Sequence, residues 1–152
     1  MAGQDILVAA DDDSINGPDD LAGKRVCAAT GSTPIQNIRE NYPDAEPVEF
    51  DTYTECVDQL DAGQIDAVST DDIILAGYAS DPKYEGKFRV VGETFSEEPY
   101  GIGLKKGEDE WRDFLNDTLE EAYEDGSWAE AFEATLGASG VEAPEPPPVD
   151  RY

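Results

Sequence analysis

The residues best suited to chemistry fall in two short clusters, Thr30-Gly31-Ser32-Thr33-Pro34 and Thr70-Asp71-Asp72. The first combines hydroxyls with a glycine that lets the backbone approach a ligand closely and a proline that fits a first helical turn. Hydroxyls and unpaired N–H groups at such a helix start form a small anion cradle. The second cluster supplies a carboxylate. A cradle facing a fixed carboxylate suits a zwitterion, its carboxylate at Ser32/Thr33 and its ammonium at Asp71. Each cluster also has a plainer reading, because Ser32 or Thr33, and Asp71 or Asp72, are residue types that commonly cap helices.

Composition removes most other chemistry. The 152 residues include no histidine, so the commonest general base, metal ligand and pH switch is missing, and serine triads, Cys/His pairs and ordinary zinc sites go with it. We expect no enzyme and no cofactor. With 36 acidic against 10 basic residues the formal charge is -26, which repels nucleic acid and anionic membrane surfaces. A heavily hydrated acidic surface is also a device of halophiles. No apolar run approaches the roughly 20 residues of a membrane helix, and Met1-Ala2-Gly3-Gln4-Asp5 lacks the pattern of a signal peptide.

The elements that must position the two clusters are legible as short apolar runs alternating with helical stripes. Ile6-Leu7-Val8-Ala9-Ala10 reads as a strand ending in Asp11-Asp12-Asp13-Ser14 and the turn Asn16-Gly17-Pro18. Arg25-Val26-Cys27-Ala28-Ala29 is a second strand that runs into the first cluster, after which Ile35, Ile38 and Tyr42 mark a helix broken at Pro43. Pro47 to Phe50 is a strand, and Tyr53, Cys56, Val57 and Leu60 share one helical face before Gly63. Ile65 to Ser69 is a buried strand followed by an apolar helix from Asp72 to Tyr78. Three βα units in series imply an α/β fold with a mainly parallel sheet. Ligands of such sheets bind beyond the carboxyl ends of the strands, where both clusters fall.

Phe88 to Val91 and Tyr100-Gly101-Ile102-Gly103-Leu104 read as further strands joined through Glu97-Glu98-Pro99. Trp111, Phe114, Leu115, Leu119, Ala122 and Tyr123 mark a long amphipathic helix. Gly126-Ser127 interrupts, and Trp128, Ala131, Phe132 and Leu136 mark another. Residues 138–152, with Pro144-Glu145-Pro146-Pro147-Pro148, favour an extended tail over a packed core.

Four segments together carry a family resemblance: Asp19-Asp20-Leu21-Ala22-Gly23-Lys24-Arg25-Val26, Thr30-Gly31-Ser32-Thr33, Gly63-Gln64-Ile65-Asp66-Ala67-Val68-Ser69-Thr70-Asp71, and Tyr100-Gly101-Ile102-Gly103-Leu104-Lys105-Lys106. In order and spacing through nearly 140 residues the chain resembles the extracellular solute-binding proteins, family 3, of polar amino-acid ABC transporters, and among them the actinobacterial glutamate-binding type. The resemblance implies a periplasmic-binding-protein type II lobe, a mainly parallel sheet flanked by helices, plus C-terminal helices. It implies lobe 2 over residues 1–98, residues 99–137 normally returning to lobe 1, and a tail over 138–152. It further implies that the loop at Ser32 and Thr33 helps hold the ligand's α-carboxylate and Asp71 takes its α-amino group, with Ala29, Thr30 and Gly31 also among the ligand-binding residues. Pro34 departs from members that offer a polar group or an N–H at that step. Most of lobe 1, with the export signal, lipid-anchoring cysteine and ligand-clamping arginine, is expected to be absent. The implied partners are an amino acid, glutamate or a relative, and a transporter permease engaged by the full-length protein. The implied setting is extracytoplasmic, as a cell-surface lipoprotein in full-length form, and the expected state is a monomer.

Cys27 in a strand and Cys56 in a neighbouring helix are close enough in the expected sheet layer to bridge, and equally able to stay buried thiols. Glutamate-binding relatives carry the same pair, so the resemblance implies a disulfide; closing about 28 residues would contribute about 3 to 4 kcal/mol. Two rival readings use other residues. In a phospho-accepting receiver domain Asp11, Asp12 and Asp13 would form the acidic pocket with Asp51 as acceptor and Lys105 nearby, although Asn16-Gly17-Pro18 stands where the receiver's helix should begin. An EF-hand-like calcium loop would use Asp12, Ser14, Asn16 and Gly17, but its closing glutamate position is Gly23.

Overall fold

Residues 2–137 and 143–151 are described by the computed structural model of the chain. It divides into two compact units, Met1–Glu98 and Pro99–Tyr152. In the first unit the strands are β1 (Gln4–Ala9), β2 (Arg25–Ala29), β3 (Glu46–Phe50), β4 (Ala67–Asp71) and β5 (Phe88–Val90), and the helices α1 (Thr33–Asn41), α2 (Tyr53–Asp61) and α3 (Asp72–Ser80). The sheet order is β3-β2-β4-β1-β5. β2 runs parallel to both β3 and β4, while β1 runs antiparallel to β4 and β5. Four strands therefore point one way and β1 alone points the other, an α/β arrangement with a mixed, mostly parallel sheet.

Alternation along the strands divides the core between two faces. Leu7, Cys27 and Val68 pack on one side against Val57, Leu60 and Leu75 of α2 and α3, with Tyr84 and Phe88 completing the layer. Ile6, Val8, Val26 and Ala67 pack on the other against Ile38 of α1 and against Ile15 and Leu21 of the connection between β1 and β2, Leu21 ending a short 3-10 helix. Each fully buried Leu or Ile side chain contributes about 1.5 to 3 kcal/mol by leaving water. Helix α2 begins with a capping box: Thr52 Oγ1 accepts from Glu55 N–H at 3.2 Å, and Glu55 Oε2 accepts from Thr52 N–H at 3.0 Å. Among the described residues no helix is long and apolar enough to cross a membrane.

Strand boundaries differ from the sequence reading by two residues at the start of β1 and at both ends of β4, and by one at the end of β1, the start of β3 and the end of β5. β1 starts at Gln4 because Gln4 and Asp5 pair with Asp71 and Thr70 across the antiparallel ladder. β4 correspondingly begins at Ala67 and reaches Asp71.

The second unit holds α4 (Asp109–Asp125) and α5 (Ser127–Leu136), separated at Gly126, whose φ of 84° is left-handed and ends α4. The strand expected at Tyr100-Gly101-Ile102-Gly103-Leu104 does not form. A strand needs a paired neighbour for its backbone groups, which an alternating pattern alone does not supply, and Tyr100 and Ile102 are 65% and 58% exposed. Of the expected tail, residues 138–142 lie outside the described residues. Residues 143–151 lack regular structure, yet Arg151 returns to α4, with Nη2 2.6 Å from Asp117 Oδ1 and 2.7 Å from Glu120 Oε2.

Candidate functional site

The parallel pairing of β2 with β4 decides where the two chemical clusters lie. Val26 is in register with Ala67 and Cys27 with Val68. Three residues further along each strand come Thr30 and Asp71, so both leave the sheet at the same edge from strands about 4.8 Å apart. Phe50, ending β3, and Gln4, starting the reversed β1, reach that edge too.

The turn after β2 is built largely from its own hydrogen bonds. Thr30 donates through both N–H (2.8 Å) and Oγ1 (3.1 Å) to the Phe50 carbonyl, fixing the loop to β3. Gly31, with φ of +71°, makes the left-handed step that an L side chain would resist. Its N–H donates to Glu49 Oε2 at 3.4 Å, and Glu49 in turn pairs with Arg39. Ser32 N–H donates to the Ala29 carbonyl at 3.1 Å. Ser32 Oγ caps α1 by accepting from Ile35 N–H at 3.4 Å, so the capping reading holds for this residue. A hydroxyl that accepts keeps its own proton to donate. Pro34 has no N–H, which leaves the Thr33 amide, on an exposed residue, as the donor at this helix start without an acceptor among the described residues.

On the neighbouring strand the two aspartates have separate tasks. Asp72 Oδ1 accepts from Ile73 N–H (2.8 Å) and Gly3 N–H (3.3 Å), stitching the start of α3 to the segment entering β1. Asp71 stands at the N-cap position of α3, extended at φ -61° and ψ 137°, and makes no side-chain cap bond. The capping reading fails for Asp71, and its half-buried carboxylate lies on the edge shared with Ser32 and Thr33.

Several residues of this region were not marked by the sequence reading. Gln4, 1% exposed, has all its amide hydrogen-bonding groups near the site: Nε2 donates to Ser69 Oγ (2.9 Å) and the Pro34 carbonyl (3.3 Å), and Oε1 accepts from Asn37 Nδ2 (2.7 Å). Its signal was a polar residue in phase with the buried Ile6 and Val8. Asp5, also 1% exposed, accepts from Ile6 N–H (2.7 Å) and Gly92 N–H (3.0 Å). Burial pushes its carboxyl above the ordinary aspartate value, against the pull of those amides. Lys24 and Arg25, the cations nearest the cradle in sequence, stand at the opposite end of β2. Lys24 donates to Ser14 Oγ and Arg25 pairs with Asp66 at 2.8 Å, a contact that holds Asp66 below its ordinary value. The cation beside the cradle is instead Arg39, through Glu49.

Cys27 and Cys56 form a disulfide between β2 and α2, with both residues fully buried and Cα atoms 5.7 Å apart. The receiver-like grouping does not assemble: because β1 is reversed, Asp11, Asp12 and Asp13 follow it at one sheet edge, whereas Asp51 follows β3 at the other. In the calcium-loop segment Asp12 Oδ1 accepts from Ser14 N–H (2.7 Å) and Asp20 Oδ2 from Asn16 N–H (2.9 Å), carboxylates turned inward to brace the turn. Among the described residues no group of three or more acidic or cysteine side chains is placed to hold a metal.

No protein-family model matches the chain. It is 42% identical over 153 residues to the glutamate-binding protein GluB of Corynebacterium glutamicum, an alignment covering 97% of this chain and 51% of that protein. It is 39% identical over 132 residues to the ABC transporter glutamine-binding protein GlnH of Bacillus subtilis, covering 86% and 47%. Among solved structures it superimposes on an ancestral arginine-binding protein bound to glutamine with a TM-score of 0.76 and 37% identity, covering 90% of this chain and 60% of that one. The chain spans about half the length of the curated relatives it matches.

Proposed function

The chain is related over nearly its whole length to the family-3 solute-binding proteins, and from that premise we propose that it is the substrate-gripping part of the binding component of an amino-acid ABC importer. In this reading residues 1–98 are lobe 2 of a periplasmic-binding-protein type II fold. Residues 99–137 return to a first lobe, and residues 138–152 are a Pro-rich tail. The chain is a binding module and not an enzyme. It acts outside the cytoplasm, a setting that an internal disulfide favours. The full-length protein supplies the lipid anchor and the contact with the permease.

One observation carries the reading: the adjacent parallel strands β2 and β4 release the Ser32/Thr33 helix start and the Asp71 carboxylate at one edge. The ligand's α-carboxylate accepts from the Thr33 amide and from the hydroxyls of Ser32 and Thr33, helped by the positive end of α1. Ala29, Thr30 and Gly31 shape the turn. The ligand's α-ammonium donates to Asp71. Two charge-assisted contacts of about 2 kcal/mol each correspond to a millimolar dissociation constant, so this half-site alone binds weakly and a second lobe supplies the rest. The preferred ligand is a polar amino acid, glutamate in the first instance, with Arg39, which reaches the turn through Glu49, a cation available to a side-chain carboxylate.

Amide NMR spectra recorded while glutamate is added to the chain test this directly. We expect shifts concentrated at Gly31, Ser32, Thr33 and Asp71 with a millimolar midpoint, weakened about thirtyfold in Asp71→Asn, as loss of one charge-assisted contact of about 2 kcal/mol requires. Glycolate, which lacks the ammonium, should lose the dependence on Asp71. No shifts at these amides would remove the site, and micromolar binding by calorimetry would refute the sharing of the ligand with another lobe.

A further inference from the structure

Gln4 is a fully buried side chain that touches both halves of the proposed site. Its Nε2 donates to Ser69 Oγ, two residues before Asp71 on β4, and to the carbonyl of Pro34 in the first turn of α1, while its Oε1 accepts from Asn37 Nδ2 one turn further along that helix. Ser69 Oγ in turn donates to the Asp5 carbonyl at 2.8 Å, so the chain of bonds runs on into the β1 backbone. The Gln4 backbone makes two more bonds, its N–H donating to Ser96 Oγ at 2.9 Å and its carbonyl accepting from Phe95 N–H at 2.9 Å. Close approach continues one residue earlier, where a Cβ on Gly3 would lie 2.6 Å from the Ser96 carbonyl oxygen.

We infer that Gln4 is a positioning residue for ligand capture: it sets the helix start carrying Ser32 and Thr33 against the strand tip carrying Asp71, and ties both to the segment 94–96 that leaves the unit. The inference rests on the site proposed above. Its physical basis is that a buried amide with every donor and acceptor engaged has one low-energy orientation, so the groups it bonds are held in a fixed mutual geometry. Recognition of a small zwitterion at two points depends on that geometry, because a displacement of about 1 Å carries one of the two charged contacts out of range.

The test is amino-acid binding by the chain, followed by amide NMR with glutamate as the probe, in the wild type, Gln4→Met, Asn37→Ala and Ile38→Val. Gln4→Met keeps the side-chain length and removes every amide hydrogen bond. Asn37→Ala, at a half-buried position, removes the bond to Oε1 together with an exposed bond that Asn37 Oδ1 accepts from Asn41 Nδ2, and leaves the buried Gln4 side chain in place. Ile38→Val serves as a control for stability lost on the same helix without any polar change. The expected result is that Gln4→Met weakens binding about fivefold or more and Asn37→Ala about twofold, while Ile38→Val lowers the melting temperature and leaves the dissociation constant unchanged. If the wild type binds and both polar variants bind equally well, the role of Gln4 is overturned and the site stands. If the wild type shows no shifts at Ser32, Thr33 and Asp71, the site falls and the inference falls with it.

Discussion

Reducing the Cys27–Cys56 bridge should destabilise the unit Met1–Glu98 by about 3.6 kcal/mol without changing its folded structure. The magnitude follows from the sequence separation of 29 residues: on the chain-entropy model a loop of that size restricts the unfolded chain by about 12 cal/mol/K, or about 3.6 kcal/mol at 25 °C. In the folded state little changes, because both cysteines are fully buried and β2 remains held by its ladders to β3 and β4. A domain of this size has a total stability of about 5 to 15 kcal/mol, so the reduced protein should still fold at room temperature. With a urea slope of about 1.2 kcal/mol per molar, the midpoint should fall by about 3 M, and the melting temperature by roughly 15 to 30 °C. The choice of probe matters. Both tryptophans, Trp111 and Trp128, lie in the unit Pro99–Tyr152, so the transition should be followed through far-ultraviolet circular dichroism or the tyrosine signals of Tyr42, Tyr53, Tyr78 and Tyr84. A midpoint that moves by less than about 1 M on reduction, with the slope unchanged, would refute the reasoning. A Cys27→Ala/Cys56→Ala protein should reproduce the reduced wild type apart from the small cavities it introduces.

Ser32→Ala should lower stability by about 1 kcal/mol through loss of the α1 cap and weaken amino-acid binding as well, whereas Asp71→Asn, which leaves the α1 cap intact, should weaken binding; paired urea melts and NMR titrations follow the two effects. Asp5 should give a contribution to stability that declines as pH rises. Burial raises its folded-state pKa above the ordinary 3.8, so the folded protein holds the proton more tightly across that interval. Comparing urea midpoints of wild type and Asp5→Asn from pH 3.5 to 6.5 should therefore show the wild type losing ground to the variant as pH climbs above about 4, and an opposite slope would contradict the assignment. Gly3→Ala should cost about 1 to 3 kcal/mol, since its Cβ would meet the Ser96 carbonyl oxygen at 2.6 Å and Thr94 Cβ at 2.8 Å, while Gly101→Ala, with nothing within 4 Å, should be close to neutral by thermal melting.

Local chemistry in the sequence was enough to place most elements. β2 and the helices α1, α2 and α3 are bounded by strong local signals, namely a proline at the start of α1, the Thr52/Glu55 box, Gly63 after α2, prolines beyond α1 and α3 and a change of apolar period from two to nearly four. Tyr100 to Leu104 carries the same alternating pattern and forms no strand, because a ladder depends on a neighbour that no local pattern reveals. Lys24 and Arg25 looked close to the cradle along the chain and proved to be a strand's length away, while Arg39 reached it through Glu49.

By itself the sequence determined the alternating α/β order, the exclusion of histidine chemistry, the acidic surface and the residue types of the two clusters, since each of these is a property of composition or of neighbours along the chain. The tertiary structure alone decided that β1 runs against the rest of the sheet, that Ser32 caps its helix while Asp71 does not, and that Gln4 binds both sides of the site. Those outcomes depend on which strands pair and in what register. Pairing is settled by burying two apolar faces at once while satisfying every backbone group between them, a condition on the whole sheet that no single segment contains.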